Sequence, residues 1–146
     1  MSLAAYQNNQ DLDVLSATPM QLVCLLYEGA ITAVQAAQEN LRTGRIRARS
    51  HQITKACAII EELTLSLDRA NGGKIAADLT ELYVYLHQRL IAANIEQTAE
   101  PLVEVAKHLA GLLEAWRQIP DSPGNAACSN NAPFGGSHLL SLQLSA

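Results

Sequence analysis

Four stretches of this chain carry aliphatic residues at alternating three- and four-residue spacing, and helix-stopping residues separate them. That period matches the 3.6-residue turn of an α-helix and leaves no stretch that reads as a strand. The first begins at Thr18-Pro19-Met20-Gln21. Thr at the N-cap, Pro at the first helical position and Gln three residues on form capping-box chemistry. The spacing predicts a helix from there to Leu41, ended by Gly44. A second helix is expected over 45–69, with Ile53, Ala56, Ile60, Leu63 and Leu67 on one side. Asn71-Gly72-Gly73 then breaks the chain. A third is expected over 73–93, with Ile75, Leu79, Leu82, Leu86, Leu90 and Ala93. A fourth is expected over 98–119, started by Thr98 with Pro101 in its first turn, and carries Leu102, Val105, Leu109, Leu112 and Trp116.

Helices of roughly 20 to 25 residues are about 30 to 37 Å long. Joined by short turns, four of them give an all-α, antiparallel up-down-up-down four-helix bundle over residues 18–119. Residues 1–17 read as an extended N-terminal arm with a few apolar anchors. Residues 120–136 hold three prolines, three glycines and three asparagines, which predicts a flexible linker. A short apolar end comes after it, with Leu139, Leu140, Leu142 and Leu144.

Composition removes several function classes. A formal net charge of −4 is the wrong sign for a nucleic-acid binder. Arg42, Arg45, Arg47 and Arg49 cluster at a turn without aromatic residues among them, so they read as a solvated surface. The polar N-terminus predicts no signal peptide, and the longest unbroken apolar run, Leu22–Tyr27, is far short of a membrane span. A cytoplasmic protein is expected. The scattered His and Cys residues carry no metal-ligand spacing, no phosphate-binding loop is present, and no nucleophile has its base nearby. No cofactor, no metal and no enzymatic activity are expected.

The helix faces carry more information. The fourth helix has one apolar side and the second nearly so, apart from Ile59 and Leu65. The first is apolar over most of its circumference. Leu22, Leu25, Leu26, Gly29, Ala30, Ala33 and Ala37 are assigned to its core stripe. Met20, Val23, Cys24, Tyr27, Ile31 and Val34 are assigned to a second stripe that faces outward. On the third helix Ala77, Val84 and Ile91 lie off the core stripe, with Tyr85 off it on the other side. Apolar surface left in water costs roughly 25 cal/mol per Å². The arm, a partner segment lying in a groove, or a second copy in a homodimer would each cover it.

These residues resemble a known family. Ala5-Tyr6-Gln7, Thr18-Pro19-Met20-Gln21-Leu22-Val23 and Leu25-Leu26-Tyr27-Glu28-Gly29-Ala30 are similar to the N-terminal signature of the FliS family, the flagellin-specific flagellar secretion chaperones. Ile59-Ile60-Glu61-Glu62-Leu63, Gly72-Gly73-Lys74-Ile75-Ala76, Leu82-Tyr83-Val84-Tyr85, Arg89-Leu90-Ile91-Ala92-Ala93-Asn94 and Glu114-Ala115-Trp116-Arg117 extend the match across about residues 4–118. The resemblance implies a helical bundle that binds the disordered C-terminal region of flagellin, prevents its premature polymerisation and supports flagellar type III export. It also implies contact with a component of the export gate, and a mobile N-terminal cap over part of the client surface.

Carried over by position, the resemblance points to Tyr6 and Gln7 in the cap and to Leu22, Leu26, Tyr27 and Ile31 on the first helix. Tyr83, Arg89, Ala93 and Asn94 correspond on the third. The outward stripes add Val23, Val34, Val84 and Ile91. For Leu22, Leu26 and Tyr83 ordinary core packing is the competing explanation. Two other functions compete. One is a helical adaptor that dimerises through the first-helix apolar face. The other is a histidine phosphotransfer module using His51, with Lys55 one turn later.

Overall fold

The computed structural model describes residues 18–119, and within them the chain is four α-helices and no strand. We number them α1 (Pro19–Arg42), α2 (Ile46–Leu65), α3 (Arg69–Glu96) and α4 (Glu100–Arg117). The expected arm, linker and apolar end lie outside the described residues.

Local chemistry sets most of the helix ends. The α1 capping box forms: Gln21 N–H donates to Thr18 Oγ1 at 3.1 Å, and Thr18 N–H donates to Gln21 Oε1 at 2.9 Å. Gly44 takes φ +75°, a left-handed conformation that glycine adopts without steric cost, and α1 stops there. Asp68 caps α3, accepting from Asn71 N–H at 3.2 Å.

Several ends differ from expectation: α2 stops at Leu65 and not at 69, and α3 runs on to Glu96 and not to 93. Helix α3 begins at Arg69 instead of Gly73, because the Asp68 cap starts it one turn before the glycine pair. Gly73 still breaks the geometry, with φ 57° and ψ −134°, so a first turn precedes a kink. Helix α4 begins at Glu100 with Ala99 at the cap, not Thr98, and no side chain caps it.

The helices form a closed ring in which α1 packs on α2 and α4, and α3 packs on α2 and α4. Cross-ties connect the end of one helix to the start of the next, as antiparallel neighbours require. Gln38 Nε2 on α1 donates to the Leu102 carbonyl on α4 at 3.3 Å, and Arg117 at the end of α4 reaches Glu28 near the start of α1 at 3.0 Å. The interior is aliphatic, with Ile53, Ile60, Leu63, Leu86, Leu90, Leu102 and Leu109 almost fully buried around Tyr27, Tyr83 and Trp116. Helix α1 is long and apolar enough to cross a membrane by length and composition alone. Its apolar side is instead occupied as a wall of this interior.

The facing of α1 corrects the sequence reading. Met20, Val23, Cys24, Tyr27 and Val34 are buried, together with Ala30, Ala33 and Ala37. Leu22 and Leu26 are half-buried and Leu25 is 42% exposed. The stripe assigned outward therefore builds the core, and the leucine stripe lies to the side. The two stripes are adjacent on the helix, and periodicity alone does not tell which one points inward. The polar end of Tyr27 favours an outward assignment unless a hydroxyl partner waits inside the bundle. Such a partner exists in Tyr83, 56 residues away in sequence.

Candidate functional site

Burial divides the expected client-binding residues. Tyr6 and Gln7 lie outside the described residues. Val23, Tyr27, Val34, Tyr83 and Ala93 are buried in the bundle. With almost no accessible surface, Val23, Tyr27, Val34 and Ala93 support the surface from beneath, while Tyr83 forms part of the floor of a groove. Leu26, Ile31, Arg89 and Asn94 are half-buried, and Val84 and Ile91 are exposed.

The Tyr27 and Tyr83 hydroxyls are hydrogen-bonded to each other inside the core, and the Tyr27 ring packs against Trp116 at 6.3 Å between centroids. Burial pushes the Tyr27 hydroxyl up to about 12, partly offset by the Tyr83 hydroxyl and the nearby Trp116 indole. Burial also raises Tyr83, and the neighbouring Tyr27 adds to that rise. The Trp116 Nε1 is buried without a geometrically sound hydrogen bond, although it lies near Tyr27. These groups stay neutral at physiological pH and serve packing. Cys57 is also buried, and its thiol is pushed up to about 11 by burial and by Glu61, which makes it a poor nucleophile.

Asn94 is committed inside the molecule. Its Oδ1 accepts from Ser50 Oγ at 2.9 Å and from Arg49 Nε at 3.3 Å. Arg49 also donates to the Asn94 carbonyl and to Gln97 Oε1, both at 3.4 Å. At 4% exposed, Arg49 is not part of a solvated basic surface as its sequence neighbourhood suggests. It closes the C-terminal end of α3, where carbonyls lack helical partners and a cation is favoured. The chain turns there at Gln97 in the left-handed region, φ 57°.

Arg89 is likewise engaged, tying α3 to α4 through Glu104 at 2.7 Å. Tyr85 hydroxyl donates to the same carboxylate, and His108 stands at 3.8 Å. The Tyr85 hydrogen bond, followed by Arg89, holds the Glu104 carboxyl below its ordinary range. The network is open to solvent, so its contribution to stability is small.

What remains for a partner is apolar. On α3, Val84, Ile91 and Ile95 recur at seven and four residues on the outward side, at 51%, 42% and 73% exposed. Leu65, at the end of α2, is 77% exposed. Between α2 and α3 lies a groove of about 510 Å³ with Ile60 and Tyr83 in its floor and Leu65, Val84, Glu61 and His87 around it. Ile95 and Leu65 are the members that sequence reasoning did not select. Leu65 shows as an off-stripe residue on α2, and Ile95 stands one turn after Ile91, so the signal was present in both cases.

Among the described residues no three His, Cys, Asp or Glu side chains come together to hold a metal ion. His51 and Lys55 are exposed on α2.

Comparison with known proteins bears on what such a surface does. The family described as flagellar protein FliS matches residues 2–123. The flagellar secretion chaperone FliS of Salmonella typhimurium is 40% identical over 107 residues, covering 73% of this chain and 79% of that protein. That of Campylobacter jejuni is 35% identical over 115 residues, covering 79% and 88%. That of Bacillus subtilis is 31% identical over 118 residues, covering 81% and 85%. With four helices in the expected order and a match running from the arm to just past α4, the chain belongs to the FliS family of flagellar secretion chaperones.

Proposed function

We propose that this protein binds the C-terminal segment of flagellin in the cytoplasm, keeps it from polymerising, and delivers it to the flagellar type III export apparatus through contact with an export-gate component. The observation that carries this reading is the outward apolar stripe Val84, Ile91 and Ile95, continuous with the α2/α3 groove, on a chain of this family. An unfolded apolar segment laid along it removes surface from water at roughly 25 cal/mol per Å². The segment loses conformational freedom as it orders, so a small patch gives little affinity and a long wrapped path is needed. The α2/α3 groove, the α3 stripe and the Leu22, Leu25 and Leu26 side of α1 supply such a path. Tyr6 and Gln7, in the arm, act as a cap that the client displaces. Release needs no nucleotide, because a competing partner at the gate suffices.

Calorimetry with a C-terminal flagellin fragment tests this. Val84→Asp with Ile91→Asp weakens binding about tenfold or more, because a charge is placed under an apolar contact, while the melting temperature stays within a few degrees. No binding by the unaltered protein, or equal binding by the variant, refutes the reading.

A further inference from the structure

Helices α2 and α3 are antiparallel, and one seam joins them along their length. At one end Ser50 and Arg49 on α2 hydrogen-bond to Asn94 on α3. Toward the other, Glu61 and Leu65 on α2 and Tyr83 and Val84 on α3 line the groove. Arg47, Thr54 and Glu61 are seven residues apart, so they share the flank of α2 that borders this seam, and all three are exposed. Val84, Ile91 and Ile95 form the matching line on α3, also exposed. An apolar line therefore has a cation at one end and a carboxylate at the other, about 21 Å apart along the α2 axis.

Among the described residues neither Arg47 nor Glu61 takes part in an ion pair. Glu81, one turn before Val84, adds a second exposed carboxylate at the Glu61 end, where Lys74 is paired with Asp78. Glu96, seven residues after Arg89, falls with it on the α4 side of α3 and leaves the Arg47 end of the seam basic.

We infer that the client segment lies in this seam as a helix of about four turns, parallel to α3, with its N-terminal end at Glu61 and its C-terminal end at Arg47. The identity of the occupant rests on the function proposed above; its helical form and direction are argued from the surface. Helices α2 and α3 satisfy their own backbone groups, so an extended segment laid between them gains no backbone partner. A helix satisfies its own N–H and C=O groups and presents apolar side chains at three- and four-residue spacing to Val84, Ile91 and Ile95. Its peptide dipoles put partial positive charge at its N-terminus and partial negative charge at its C-terminus. Glu61 and Glu81 favour the first and Arg47 the second, whereas the opposite direction sets like charge against like at both ends. The segment that fits best is amphipathic, with a basic residue in its first turn and a carboxylate in its last.

The test uses the full chain with a photo-crosslinking benzoylphenylalanine in place of Leu65 in one variant and of Ile95 in another, each irradiated with a C-terminal flagellin fragment. The two probes stand about 20 Å apart along the seam, so on a helix the Leu65 probe marks residues about 14 positions before those marked by the Ile95 probe. The reverse order, a separation of about six positions as an extended segment gives, or no crosslink overturns the inference. A second full-length variant, Arg47→Glu with Glu61→Lys, inverts the end charges at two exposed positions. It binds the fragment about threefold or more weakly at low salt, and the loss shrinks as salt screens the charges. Equal affinity at low salt overturns the role of the two charges. A fragment that does not bind the unaltered protein sinks the client reading and this inference with it. A fragment that binds in the reverse direction or in extended form sinks this inference alone.

Discussion

Tyr27 on α1 and Tyr83 on α3 share one hydrogen bond between their hydroxyls in the centre of the bundle, where neither side chain has appreciable contact with solvent. Two phenols in an aliphatic interior are tolerated because each satisfies the other. The pair also fixes how α1 is rotated about its axis, and so which of its apolar stripes is left outside.

Removing one hydroxyl strands the other. Tyr27→Phe or Tyr83→Phe alone is expected to cost about 1–3 kcal/mol, while the double variant recovers a large part of that loss. Urea unfolding of the four proteins of this cycle measures the coupling. Additive single effects would show that the bond contributes nothing specific.

The same burial predicts alkaline sensitivity. Tyr27 is pushed up to about 12 from 10.0, and Cys57 up to about 11 from 9.0. Each folded-state value lies above the unfolded one, so the folded form binds its proton more tightly. The stability from Cys57 is complete below about pH 9 and lost by about pH 11; that from Tyr27 is complete below about pH 10 and lost by about pH 12. Unfolding free energy should fall with rising pH across this range, and the Tyr27→Phe, Tyr83→Phe protein should show a shallower decline above pH 10.

Asn94 and Arg49 should behave as structural residues. Arg49→Met leaves the carbonyls that close α3 without their donor, and about 1–3 kcal/mol of stability is lost. Asn94→Ala loses a similar share. Their partners are neutral amides and a hydroxyl, so the loss changes little with added salt. Thermal melts at two salt concentrations check both the size and the salt independence.

Two glycines should respond in opposite directions. Gly73→Ala forces an L side chain into φ 57°, ψ −134°, and is expected to destabilise by about 1–3 kcal/mol although no atom crowds the new methyl. Gly111→Ala, inside α4 and equally uncrowded, gains helix propensity and stabilises by roughly 0.5–1 kcal/mol. Denaturant midpoints of the two variants should move apart.

The sequence by itself determined the number of helices, their order and the chemistry at most ends. The Thr18 capping box, the Gly44 stop and the apolar faces of α2 and α4 all depend on neighbours within a few residues. It also marked Val84, Tyr85 and Ile91 as lying off the core of α3, which is where they stand exposed. Only the tertiary structure decided which α1 stripe points inward, because the deciding partner of Tyr27 comes from α3, 56 positions along the chain. It likewise turned Arg49 from a surface charge into the buried closure of α3, through Asn94, 45 positions away. Local pattern records how apolar a face is. What that face meets depends on contacts between segments far apart in sequence, and those exist only once the bundle has closed.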